Sequence, residues 1–128
     1  VKVITIDPVV NADFLFNRKG LGLAKKLSFI NKTSDSAFRN WHGGKIDMLF
    51  VDGVHSYDGV MGDIGTWGSF LKQGGIVAIH DIFLHGNTIG KAVQDLVNTH
   101  RIKPIKTVDD TWKDEKRIGM FIGEFHGY

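Results

Sequence analysis

The sequence predicts an α/β domain with an open, mostly parallel sheet, helices on both faces and an antiparallel hairpin at its carboxyl end. Three observations carry this expectation. Short runs that are almost wholly apolar recur at residues 1–6, 46–51 and 76–79, the pattern of strands buried on both faces of a parallel sheet. Between them stand segments whose apolar residues return every three or four positions, as one face of a helix requires. After residue 100 the alternation stops, and two β-rich segments flank a polar turn at residues 109–116, which reads as a hairpin.

Each element follows in order. Residues 1–6 (VKVITI) form a strand closed by Asp7-Pro8. Residues 9–26 are helical in part, with an interruption near Gly20 and Gly22, and residues 27–30 are a weaker strand. Residues 34–41 give one short helix, and residues 46–51 (IDMLFV) a strand closed by Asp52-Gly53. Tyr57, Val60, Met61, Ile64, Trp67, Phe70 and Leu71 then make the clearest helical stripe in the chain. Its Gly59, Gly62, Gly65 and Gly68 each cost about 1 kcal/mol relative to alanine, so tertiary packing must hold this helix. Residues 76–79 form a strand opened by Gly74-Gly75 and closed by His80-Asp81. Ile89, Ala92, Val93, Leu96 and Val97 make a further stripe with Asn87 or Thr88 as its cap. Residues 102–108 and 117–125 are the hairpin strands. Such alternation implies right-handed crossovers.

Composition sets the bounds. With 128 residues, 42% hydrophobic and 23% charged, the chain reads as one globular domain able to bury about two thirds of its unfolded surface. The absence of cysteine excludes disulfides, thiolate zinc sites and thiol nucleophiles. No run of about 18 apolar residues occurs, so no membrane-spanning helix is expected, and the cytoplasm is the default location. Residues 1–45 carry eight Lys or Arg against three Asp, whereas residues 46–81 carry one Lys against five Asp. Dispersed lysines of this kind usually form a solvated face, so nucleic acid is the disfavoured partner.

In open α/β sheets, ligands bind beyond the carboxyl ends of the strands. The polar residues closing the apolar runs, Asp7, Asp35, Asp52, His55, His80 and Asp81, are therefore expected to converge on one edge. Asp7 can accept hydrogen bonds from both hydroxyls of a ribose, or serve as an ordinary turn aspartate before proline. Asp52, His80 and Asp81 offer two carboxylates and an imidazole, a set able to hold a divalent cation, though the same groups also cap turns. His55, three residues after Asp52, could be a general base, a further ligand or a hydrogen-bonding turn residue.

The segment IDMLFVDGVHSYDGVMGDIGTWGSFLKQGGIVAIHDI, residues 46–82, resembles class I S-adenosylmethionine-dependent methyltransferases. It is most similar to the small-molecule O-methyltransferase group with an IDG-x-H-x-Y turn, a D-x-x-x-W helix and a GG-x-x-x-x-HD strand. GLGLAKKLSFINKTSDSAF, residues 20–38, is similar to that family's helix and third strand, and VITIDP to its second strand. The resemblance implies a Rossmann-like fold and S-adenosylmethionine as cofactor, with Asp7 on the ribose, Asp35 and Ser36 beside the adenine, and Asp52 near the methionyl part. In metal-dependent relatives one ligand ends the fourth strand and a consecutive pair follows the fifth, places held here by Asp52, His80 and Asp81. His80 stands where those relatives have a carboxylate, so the metal is magnesium or a softer divalent ion. His55 occupies the position of their general-base lysine. The implied reaction is methyl transfer to the hydroxyl of a small molecule.

That family's first strand and glycine-rich loop have no counterpart within residues 1–128, so the resemblance implies an amino-terminally incomplete methyltransferase domain. An uncovered central strand would then favour a homo-oligomer. Two other classes stay open from the residues: a noncatalytic binding or oligomerisation module derived from a methyltransferase, and a metal-dependent hydrolase using Asp52, His55, His80 and Asp81.

Overall fold

A computed structural model describes residues 1–10, 17, 20–22, 25–109 and 117–127. The chain divides into two compact units, Val1–His42 and Gly43–Tyr128. Most of the helical segment expected across residues 9–26, and the hairpin turn at residues 110–116, lie outside the described residues.

In the first unit, strand β1 (Val3–Ile6) pairs in parallel with β2 (Leu27–Ile30), Val3 facing Leu27 and Ile6 facing Ile30. The Asn31 side-chain amide donates to the carbonyls of Asp7 and Pro8 at 3.1 and 3.0 Å, tying the carboxyl ends of the two strands together. Helix α1 (Ser34–Arg39) follows, capped by Thr33, whose Oγ1 accepts from the Ser36 amide. That cap satisfies one of the amides a helix start leaves without an intrahelical partner.

The second unit is a four-stranded mixed sheet in the order β3-β4-β6-β5. Its strands are β3 (Ile46–Val51), β4 (Leu71–His80), β5 (Ile102–Val108) and β6 (Met120–Phe125). β3 and β4 are parallel, whereas β6 runs antiparallel to both β4 and β5. Val77, Ala78 and Ile79 at the middle of β4 are fully buried, as the apolar run requires of an inner strand. Helix α2 (Tyr57–Trp67) and helix α3 (Lys91–Asn98) contribute Val60, Ile64, Ala92, Val93 and Leu96 to one core with Ile102, Phe121 and Phe125 of the hairpin.

Local chemistry fixes how α2 begins. Ser56 caps it, its Oγ accepting from the Gly59 amide at 3.0 Å. A Cβ at residue 59 would stand 2.8 Å from the Val54 carbonyl and 3.0 Å from Ser56 Oγ, so glycine there lets the preceding turn fold tightly onto the helix. Tyr57 anchors the same end, donating its hydroxyl to Asp95 of α3 at 2.9 Å, while Lys91 pairs with that carboxylate at 2.9 Å.

The structure departs from the sequence expectations in several places. The stripe of α2 continues to Leu71, yet the helix ends at Trp67 with Gly68 as its cap. Hydrogen bonds from Phe70 and Leu71 to the Trp67 and Gly68 carbonyls make a tight turn instead. β4 begins at Leu71 rather than residue 76, because Leu71 pairs with Ile46 before a register shift carries the ladder to Met48 and Ile76. Neither Asn87 nor Thr88 caps the last helix; both lie in a π-helical turn, Gly86–Gly90, that leads directly into α3. β3 also differs from a strand buried on both faces. It sits at the sheet edge, with Met48 and Phe50 on one face 57% and 52% exposed.

Candidate functional site

Parallel pairing of β3 and β4 sets Val51 opposite Ile79, so the residues that follow, Asp52 and His80, emerge side by side at the carboxyl ends of both strands. Asp81 comes next, in the left-handed backbone region with φ of 57°. For an L-residue that conformation costs roughly 1–2 kcal/mol, aspartate and asparagine tolerating it best, and strain of this kind concentrates at functional sites. The turn it makes buries the Asp81 side chain, leaving the residue 8% exposed.

The Asp81 carboxylate lies between two imidazoles, one oxygen to each. Oδ1 is 3.2 Å from His80 Nδ1, and Oδ2 is 3.1 Å from His55 Nε2. Asp52 Oδ1 stands 3.4 Å from the same His80 nitrogen. Despite these short distances His80 Nδ1 is a buried atom that makes no hydrogen bond of acceptable geometry among the described residues. A nitrogen so placed, facing two carboxylate oxygens, has the surroundings of a cation ligand. Asp52, His80 and Asp81 thus form one group with donor atoms all within 4.8 Å of one another.

His85 is a participant the sequence reading missed. Its ring stacks on His55 with centroids 4.5 Å apart, and with His55 and Asp81 it forms a second group of donor atoms within the same span. The backbone locks these residues together: the His85 amide donates to the Asp81 carbonyl at 3.1 Å. Thr88 Oγ1 lies 3.2 Å from the carbonyls of both His55 and His85, so the π-helical turn latches onto the turn that carries His55. The available signal was the spacing of His85, four residues beyond the strand-closing Asp81.

Around this cluster the ionic groups are structural. The hydrogen bond from Lys91, reinforced by that from Tyr57, holds the Asp95 carboxyl below the usual carboxylate range. The same contact with Asp95 raises both the Tyr57 hydroxyl and the Lys91 ammonium. The network clamps the start of α2 to α3 and thereby fixes the turn that holds His55.

The remaining candidate residues belong to the first unit. Asp7 follows β1, and its Oδ1 accepts from the Val9 amide at 2.7 Å, a turn contact that occupies one of the two carboxylate oxygens. Asp35 lies in the first turn of α1 and pairs with Arg39 at 2.8 Å, both side chains exposed. Ser36 is held through its amide by Thr33. The structure therefore gathers Asp52, His55, His80 and Asp81 in the second unit, while Asp7, Asp35 and Ser36 are placed within the first.

Comparison with known proteins matches this architecture. No curated protein matches the chain. Its fold is similar to that of cofactor-bound Rv0187 from MTB, with 10% identity and a TM-score of 0.82 over 99% of this chain and 62% of that one. It is also similar to TomG from Streptomyces achromogenes, an O-methyltransferase involved in tomaymycin synthesis solved with SAM, at 14% identity and a TM-score of 0.74 over 98% of this chain and 62% of TomG. A third likeness is to the N-methyltransferase NodS from Bradyrhizobium japonicum WM9 with S-adenosyl-L-homocysteine, at 12% identity and a TM-score of 0.67 over 97% of this chain and 66% of NodS. The chain spans 62% of the length of the first two, and at these identities the likeness establishes the fold. A family model described as a methyltransferase domain matches residues 1–82, more than half of the sequence. The chain belongs to the methyltransferase-domain family.

Proposed function

We propose that this chain serves S-adenosylmethionine-dependent methyl transfer to a hydroxyl of a small molecule, with a divalent cation held by Asp52, His80 and Asp81. The observation that carries the reading is the unsatisfied His80 Nδ1 facing Asp52 Oδ1 and Asp81 Oδ1. One imidazole and two carboxylates fit a manganese-like or magnesium-like ion, the nitrogen shifting preference toward the former. When bound, the cation supplies Lewis acidity that lowers the pKa of an acceptor hydroxyl.

The side chains supply the rest. His55 Nε2 faces Asp81 Oδ2, so the tautomer with its proton on Nε2 donates to that oxygen and leaves Nδ1 with a free lone pair. The His55 side chain is 43% exposed, open to an incoming acceptor, and Nδ1 is the atom that would take the hydroxyl proton. Asp81 positions the imidazole from one edge, His85 from one face. Asp7 Oδ1 accepts from the Val9 amide, and Oδ2 is assigned to a ribose hydroxyl. Asp35 and Ser36 are assigned to the adenine side on family resemblance.

Titration calorimetry with S-adenosylhomocysteine tests the reading. The account expects Asp7→Ala to weaken cofactor binding and Asp52→Asn to weaken manganese binding. If both variants bind both ligands like the parent, the assignment is wrong.

A further inference from the structure

We infer that His55, Asp81 and His85 form a second divalent-cation site, selective for a zinc-like ion and distinct from the Asp52–His80–Asp81 set. Asp81 is common to both, with Oδ1 turned to His80 and Oδ2 to His55, the arrangement a carboxylate needs to serve two ions. A tetrahedral zinc with bonds of about 2.0–2.1 Å holds neighbouring donors roughly 3.3 Å apart. The 3.1 Å between His55 Nε2 and Asp81 Oδ2 already has that spacing. His85 offers the third donor, its ring stacked on His55 and all three donor atoms within 4.8 Å. Two imidazoles with one carboxylate favour zinc, cobalt or nickel over magnesium, whereas the other set has two carboxylates to one imidazole. The backbone is already arranged for the site: His85 bonds to the Asp81 carbonyl and Thr88 to the His55 carbonyl. Exposure of His55 gives the ion a way in and leaves a coordination position for water.

The consequence is inhibitory, and this part rests on the reading of His55 as base. An imidazole that ligates through Nε2 carries its proton on Nδ1 and has no lone pair left to accept one from a hydroxyl. Zinc at this site therefore withdraws His55 from proton transfer while leaving the other cation set intact.

The test is binding of zinc alone to the full chain, measured by calorimetry in excess magnesium, so it stands whether or not the chain binds the cofactor. The account expects about one zinc equivalent that is weakened at least about tenfold in His85→Gln and persists in Asp52→Asn. His55→Gln, a change at an exposed residue, gives the same expected loss and covers the case in which the His85 variant misfolds. Zinc binding that is absent from the parent, unchanged in both histidine variants, or abolished by Asp52→Asn alone would overturn the second site.

Discussion

Replacing Asp81 with glycine separates a residue kept for chemistry from one kept for the fold. The native backbone there has φ of 57°, a conformation that costs an L-residue roughly 1–2 kcal/mol, aspartate toward the lower end. Glycine removes that strain but adds roughly 0.5–1 kcal/mol through its greater freedom in the unfolded chain. The two terms nearly cancel. What the substitution takes away is the carboxylate that faces His55 and His80. If that carboxylate anchored the fold, losing both contacts at an 8% exposed position would cost about 3 kcal/mol or more, at roughly 1–3 kcal/mol for each polar group left without its partner. Our account instead expects Asp81→Gly to fall within about 1 kcal/mol of the parent in chelator, while manganese affinity collapses. Urea unfolding at pH 8 reads this directly: with a slope of about 1–3 kcal/mol per molar, the midpoint moves by less than about 1 M. A loss of about 3 kcal/mol or more would mean that the carboxylate is a structural anchor and not a group kept for metal binding. Asp81→Asn, which tolerates the left-handed backbone, should show the same loss of manganese with even less change in stability.

Packing and charge set three further expectations. Gly123→Ala should cost about 1–3 kcal/mol in the same unfolding assay, because its Cβ would fall 2.3 Å from Ile102 Cγ2 and 3.0 Å from the Lys103 carbonyl. Leu96→Ala empties a fully buried position and should cost about 2–5 kcal/mol. Asp95 has a folded-state pKa below its unfolded value, so its stabilisation is complete above about pH 4 and disappears as pH falls through the lower folded value. Asp95→Asn should therefore be less stable than the parent at neutral pH, with the difference shrinking in acid-unfolding curves.

Strands were legible where apolar runs had clear punctuation. Residues 27–30, 46–51 and 102–108 are strands with the expected limits. The end of α2 was not legible, because Phe70 and Leu71 keep the three-and-four spacing through a turn that Gly68 closes without entering the left-handed region. β4 began early because Lys72-Gln73-Gly74-Gly75 looks like a loop, and only pairing of Leu71 with Ile46 makes it strand. The cluster of Asp52, His55, His80 and Asp81 followed from one rule, that polar residues ending parallel strands meet at one edge. His85 escaped that rule because a loop, not a strand end, brings it back, and its place depends on the Asp81 turn and the Thr88 latch. Exposure of Met48 and Phe50 was hidden as well, since an apolar run does not say whether a packed layer covers both faces of its strand.

Calorimetric titration of the folded chain with S-adenosylhomocysteine, in manganese and again in chelator, decides whether the chain holds both cofactor and metal. The expected result is binding with a dissociation constant of about micromolar order, together with manganese binding that Asp52→Asn weakens. Folded protein that takes up neither the cofactor product nor the metal would contradict it.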